Sequence, residues 1–131
     1  MSDDDGNLTD GAGAGKLLEV RTETNEDVLT LTIEGELDLA TAPQVREPLE
    51  AAISEGTRRV VIDMLGCGFI DSTGLGVLLR SAKQLDGEGG MAIVCVDEQI
   101  TRLLELTMID RTIPVFATRD DAVAHLTGAA A

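Results

Sequence analysis

The stretch that decides the fold is VVIDMLGCGFIDSTGLGVLLRSAKQL, residues 60–85. Its three leading apolar residues predict a central strand that is buried on both faces of a sheet. A loop containing glycines follows, and a helix is predicted to begin at the segment Asp71-Ser72-Thr73-Gly74. Beyond it, apolar residues recur at helical spacing and give the helix one buried stripe, which consists of Leu75, Leu78, Leu79, Ala82 and Leu85.

Ser72 lies at the predicted start of this helix, where the first backbone N–H groups have no intrahelical partner. The helix dipole favours negative charge at that end, so a phosphate group could be accommodated on or beside the serine. A purely structural interpretation is the alternative, because Asp71 or Ser72 would equally serve as the N-cap of the helix.

The residues before this stretch predict two strands and a helix. Apolar and polar residues alternate from Leu18 and again from Leu29, which is typical of half-buried strands, and 24–27 is expected to form the hairpin turn between them. Thr41 is followed three residues later by glutamine, which is the spacing of a capping box at the start of a helix. Pro48 lies within that helix and is expected to kink or shorten it.

The residues after this stretch predict two more strands and two more helices. A glycine-rich run at 87–90 is expected to end the second helix, and 91–96 is a continuous apolar strand. Asp97 and Thr118 are predicted to cap the third and fourth helices. Between those helices, 113–116 forms a short strand whose proline indicates a sheet edge. The third helix is expected to bury Ile100, Leu103, Leu104 and Met108.

The predicted order of elements is ββαβαβαβα, which indicates a single α/β domain. We expect a mixed sheet of about five strands packed with about four α-helices, with right-handed crossovers between parallel strands. The domain is assigned to residues 16–127. Residues 1–15 are acidic and then alternate glycine with alanine, which predicts a disordered tail, and 128–131 are assigned to a C-terminal tail.

Composition excludes several classes of function. The net charge is −14, and the only aromatic residues other than one histidine are two phenylalanines, so there is neither the positive charge nor the stacking surface for direct nucleic-acid binding. Cys67 and Cys95 belong to no metal-binding pattern and are expected to be free thiols. Neither a signal peptide nor a membrane-spanning stretch is found in the sequence, so we expect a cytoplasmic protein without membrane insertion.

The sequence contains no recognisable set of catalytic residues. Asp63 resembles the phosphoacceptor position of receiver domains, but those domains need a late lysine and the only lysines are Lys16 and Lys83. The serine-hydrolase motif GxSxG is absent, because the sequence reads IDSTG. His125 is expected at a helix surface, and a pair with Cys67 would lack a third, orienting group. We therefore predict a protein without catalysis, cofactor or metal.

Two motifs together resemble a known family. Asp63, Gly66 and the run FIDSTGLG at 69–76 are similar to the signature of STAS domains, specifically of bacterial anti-sigma factor antagonists. The earlier run GELDLATAP, at 35–43, is similar to a second motif of that family. The resemblance covers roughly residues 16–126. Where Gly-Leu-Asp is common in the family, this chain has Met108 and the two residues after it, so the third helix lacks a glycine at its end.

The resemblance implies a partner-switching regulator. Ser72 would be the phosphoacceptor, with Thr73 the less favoured acceptor, and the modifying enzyme would be an anti-sigma factor that is itself a serine kinase. A metal-dependent serine phosphatase would reverse the reaction. The unphosphorylated form would bind the kinase and release a sigma factor. The alternative is a STAS subunit or ligand-sensing module of a transporter-associated or stress-signalling assembly.

The same resemblance, with the residue types, predicts a partner-binding surface around the serine. Asp38 is expected to lie close to the Ser72 loop, with local turn bonding as its structural alternative. Asp71 is expected to cap the helix and to contribute to recognition. Glycines at the helix start lower helix propensity, which suggests close approach by a partner. The predicted partner-binding residues are Gly35, Glu36, Asp38, Gly68, Phe69, Ile70, Asp71, Thr73, Gly74, Gly76 and Arg80.

Overall fold

The computed structural model describes residues 18–85 and 90–128. Within them the chain forms five strands and four α-helices in the predicted order, which confirms the α/β class. The tail predicted at 1–15, the glycines at 87–89 and residues 129–131 lie outside the described residues. The strands are β1 (Leu18–Asn25), β2 (Val28–Leu37), β3 (Arg59–Ile70), β4 (Gly90–Val94) and β5 (Val115–Phe116); the helices are α1 (Ala42–Ser54), α2 (Ser72–Gln84), α3 (Glu98–Leu106) and α4 (Arg119–Thr127).

The sheet runs β1-β2-β3-β4-β5, with the β1–β2 pair antiparallel and the other pairs parallel. Because consecutive parallel strands are neighbours, right-handed crossovers place α1, α2 and α3 on one face, and α4 packs on the other. Val60 and Ile62 belong to the larger core beneath the three helices, whereas Val61 belongs to the smaller core beneath α4. The central strand is therefore buried on both faces, as predicted.

Strand β3 is longer than the sequence predicts. We expected the strand to end in a glycine-containing loop, but the strand is 12 residues long and ends at Ile70, the residue before Asp71. Two register shifts against β2 insert extra residues on β3, so the buried residues Met64, Cys67 and Ile70 recur every third position. Gly66 allows the close pairing, since a Cβ there would lie 2.8 Å from Glu34 Cγ. The extension brings the end of β3 level with the end of β2.

Helix α1 begins without the predicted capping box. The Thr41 side chain makes no cap bond to the helix, because its Oγ1 donates to the Glu36 carbonyl at 2.7 Å and accepts from Asp38 N at 2.9 Å. The predicted shortening at Pro48 is also wrong, since α1 runs through it for 13 residues. A proline removes one backbone bond, and burial of Val45 and Leu49 on the sheet outweighs that loss.

The remaining helix starts agree with the sequence, and one helix end does not. Asp97 Oδ1 accepts from Ile100 N at 3.0 Å and Thr118 Oγ1 from Asp121 N at 3.1 Å, which confirms both caps. Strand β4 ends two residues earlier than predicted, and β5 is an edge strand as predicted. Met108 is not inside α3 but exposed after it, at a φ of 62° that glycine would adopt without strain.

Candidate functional site

The two motifs meet where β2 and β3 end side by side. Leu37 and Ile70 are register partners, and the backbone N–H of Asp71 donates to the carbonyl of Leu37 at 3.1 Å. The loop that carries Asp38 therefore lies against the start of α2, as the family resemblance led us to expect. We call the segments 35–41 and 68–76 together the switch surface.

Asp71 connects the two segments with both carboxylate oxygens. Its Oδ1 accepts from Gly74 N at 3.0 Å and caps α2, which confirms the capping role predicted from the sequence. Its Oδ2 accepts from the backbone N–H of Leu39 at 3.1 Å, across 32 residues of chain. No local sequence pattern indicates this second bond. Charge-assisted bonds of this kind are stronger than neutral ones, so Asp71 fixes one segment against the other.

Asp38 stabilises its own loop from a buried position. Its Oδ1 accepts from Ala40 N at 3.0 Å and from Thr41 N at 3.1 Å, and its carbonyl accepts from Ala42 N at 2.8 Å. The residue as a whole is only 8% exposed. These bonds are the local turn bonding considered as its structural alternative, and any contribution to partner binding stays a prediction.

Ser72 is the first residue of α2 and its side chain is exposed. Within the described parts of the chain its hydroxyl makes no hydrogen bond, while the following Thr73 is half-buried. The position combines an accessible hydroxyl with the positive end of a helix dipole. Ser72 is thus the more accessible of the two candidate acceptors, and a group attached to it would project into solvent.

The glycines of the switch surface have different surroundings. A Cβ on Gly74 would lie 2.7 Å from Leu37 Cγ and 3.0 Å from Ile70 Cγ1, whereas Gly68 and Gly76 have nothing within 4 Å. The close approach at Gly74 is therefore to the chain itself, and close approach by a partner stays a prediction. Gly74 and Ile70 are both buried and shape the surface from beneath.

The other predicted binding residues lie at or near the surface. Phe69 is 44% exposed, and Arg80 is exposed on α2. Gly35 and Glu36 are half-buried on β2. Leu39 lies in the segment 35–41, which was expected to belong to the binding face as a whole, and it is 73% exposed. A single apolar residue in a polar loop gives no signal of its exposure.

Asp63 has a structural partner that the sequence did not indicate. It lies within β3 and not at its end, and its buried Oδ2 accepts from Arg119 Nε at 2.5 Å. The same guanidinium donates through Nη2 to Thr32 Oγ1 at 2.9 Å. This ion pair attaches the start of α4 to the sheet. It also explains the acidic residue without the phosphoacceptor role considered above.

The two cysteines are buried, and the histidine packs against an aromatic ring. Cys67 and Cys95 are buried and unbridged, which confirms free thiols, and burial raises the pKa of each thiol. His125 instead packs against Phe116, with ring centroids 5.2 Å apart. Among residues 18–85 and 90–128, no cluster of three metal-ligating side chains occurs. No helix in that part of the chain is long and apolar enough to cross a membrane.

Comparisons with known proteins agree on one family. The family model described as the STAS domain matches residues 19–122. An anti-sigma-B factor antagonist of Staphylococcus epidermidis is 34% identical over 91 residues, which are 69% of this chain and 84% of that protein. An anti-sigma F factor antagonist of Paenibacillus polymyxa is 31% identical over 111 residues, covering 83% and 95%. The crystal structure of an anti-sigma factor antagonist from Mycobacterium paratuberculosis superposes with a TM-score of 0.81 at 28% identity, covering 88% of this chain and 99% of that one.

Proposed function

This chain belongs to the STAS domain family, and from that premise we propose that it is an anti-sigma factor antagonist controlled by phosphorylation of Ser72. In its unphosphorylated form it binds an anti-sigma factor that is a serine kinase, and the sigma factor is released. Phosphorylated on Ser72, it dissociates and the sigma factor is recaptured. A metal-dependent serine phosphatase restores the binding form. The protein is a cytoplasmic regulator and not an enzyme.

The observation that carries this proposal is the exposed hydroxyl of Ser72 at the first residue of α2. A phosphate would add about −1.5 to −2 charges there at neutral pH. The helix dipole favours negative charge at that end, so the domain can carry the phosphate without unfolding. The effect of modification would therefore fall on a partner that covers the switch surface.

Two basic residues on α2 favour a partner that has acidic groups next to the surface that it contacts. Arg80 and Lys83 are exposed on α2, in a chain with only ten lysines and arginines. Solvent-exposed ion pairs contribute little each, about 0–1 kcal/mol. These two residues would orient the partner, while the switch surface determines whether it binds.

The test is capture of partners from a lysate of the native host with two baits, Ser72→Ala and Ser72→Asp. We expect an anti-sigma factor kinase to be retained by the Ala bait and lost from the Asp bait. Ser54→Asp is the matched control, because Ser54 is exposed at the far end of α1. The Ser54→Asp bait should retain the kinase. If both Ser72 baits retain the same proteins, Ser72 has no switching role. A transport protein or bound small ligand on both baits would favour the assembly-subunit alternative.

A further inference from the structure

Two residues of the switch surface expose apolar side chains. Leu39 is 73% exposed and Phe69 is 44% exposed. Leu39 N is bonded to the carboxylate of Asp71, the residue before Ser72, and Phe69 lies two residues before Asp71 on β3. Apolar side chains grouped on a surface commonly mark sites of protein docking. Both residues belong to the switch surface, which also contains the proposed phosphorylation site.

The loop that presents Leu39 is held in place before any partner arrives. The backbone N–H of Leu39 donates to Asp71 Oδ2 at 3.1 Å. The carboxylate of the preceding residue, Asp38, accepts hydrogen bonds from two backbone N–H groups at 3.0 and 3.1 Å. A side chain on a loop that is already ordered loses less entropy on binding than one on a mobile loop. Leu39 is thus exposed but positioned, which is the condition for an efficient apolar contact.

Charge around this loop limits the kind of partner. Glu36, Asp38 and Asp71 place three carboxylates within three residues of Leu39 or in contact with its backbone. The Asp38 and Asp71 carboxylates already accept backbone N–H groups, so a partner meets their negative charge. A complementary surface has an apolar pocket for the leucine and basic groups around that pocket. An acidic rim on the partner would be repelled at this point.

Resting on the proposed function, we propose that Leu39 is the apolar anchor of the switch surface, docking into an apolar pocket with a basic rim on the anti-sigma factor. Phosphorylation of Ser72 then prevents binding mainly because its charge would be stripped of water next to that contact. Basic groups on the rim do not cancel this cost, because removing a pair of opposite charges from water can cost more than the two charges gain from attracting each other. Repulsion between exposed charges is weaker and is screened by salt, whereas loss of hydration is not.

The first experiment compares two exposed leucines. The probe is the anti-sigma factor kinase recovered with the Ser72→Ala bait, purified and titrated against each variant of the full chain. Leu39→Ala should weaken binding at least about tenfold, because an apolar side chain leaves its pocket. Leu106→Ala should bind like the parent, since Leu106 is 68% exposed on α3, outside the switch surface. Leu39→Met should restore most of the affinity, and circular dichroism confirms that each variant is folded.

The second experiment asks how a charge at Ser72 acts. Binding of Ser72→Asp is measured at about 0.1 M and about 1 M salt, which shortens the screening length from about 10 Å to about 3 Å. We expect the loss of affinity caused by Ser72→Asp to persist at high salt. The loss should be smaller when Leu39→Ala is also present, because the effects of two coupled residues are not additive. Recovery at high salt would overturn the desolvation mechanism. Parent-like binding by Leu39→Ala would overturn the anchor alone, whereas parent-like binding by Ser72→Asp would overturn the proposed function.

Discussion

Alanine substitutions at Gly74 and Gly76 should change the stability of the protein in opposite directions. Both glycines lie in α2, and a glycine in a helix interior costs about 1 kcal/mol relative to alanine. Their surroundings differ. A Cβ on Gly74 would lie 2.7 Å from Leu37 Cγ and 3.0 Å from Leu37 O, whereas a Cβ on Gly76 would have no atom within 4 Å.

The expected changes in the free energy of unfolding depend on whether the atoms around the added Cβ can move away. Carbon atoms in contact are normally about 3.5–4.0 Å apart, so Gly74→Ala must displace Leu37. Its carbonyl already accepts from Asp71 N at 3.1 Å and cannot retreat without weakening that bond. Overpacking costs about 1–3 kcal/mol, and little helix propensity is regained in the first turn, so we expect a net loss of about 2 kcal/mol. Gly76→Ala should gain about 1 kcal/mol.

Urea unfolding followed by far-ultraviolet circular dichroism measures both effects, because the chain has no tryptophan or tyrosine for fluorescence. Linear extrapolation should separate the free energies of unfolding of the two variants by about 3 kcal/mol, with Gly76→Ala serving as the matched control for helix propensity. If both variants gain similar stability, the close approach of α2 to β2 at Gly74 does not exist. The two motifs would then not meet at Gly74.

Two further predictions concern residues outside the switch surface. Replacing Arg119 with methionine leaves the Asp63 carboxylate buried without its cation; because Arg119 is 43% exposed, we expect the lower part of the usual cost, about 3 kcal/mol in urea unfolding. The double variant with Asp63→Asn should recover part of that loss, and a single-variant loss below about 1 kcal/mol would mean that the pair behaves as an exposed one. Met108→Gly should stabilise the protein by about 1 kcal/mol, because the residue adopts a φ of 62°. An unchanged melting temperature would contradict that expectation.

The features that could be predicted from the sequence are those determined by neighbouring residues. Asp71, Asp97 and Thr118 each cap a helix by accepting from an N–H three residues later, so the residue type and the following apolar spacing suffice. Thr41 shows the limit of that reasoning. It has the same local pattern, but the Glu36 carbonyl, brought near by the end of β2, takes its hydroxyl instead.

The features that could not be predicted join distant parts of the chain. The bond from Leu39 to Asp71 spans 32 residues, and the bond from Arg119 to Asp63 spans 56. Neither pair has a local pattern, because each exists only after the strands have found their order. The length of β3 was missed for a related reason. Its glycines suggested a loop, whereas pairing with β2 accommodates them through two register shifts.

These distant contacts explain why each motif is weak alone and the two are specific together. Taken alone, each motif describes a strand that turns into a helix, which many proteins contain. In the fold, Leu37 of the first motif supplies the carbonyl that Asp71 of the second requires, and its side chain leaves room only for glycine at Gly74. Asp71 in turn holds the loop at Leu39. Each motif therefore provides the surroundings that the other needs, and finding both in one chain implies the junction at which Ser72 is exposed.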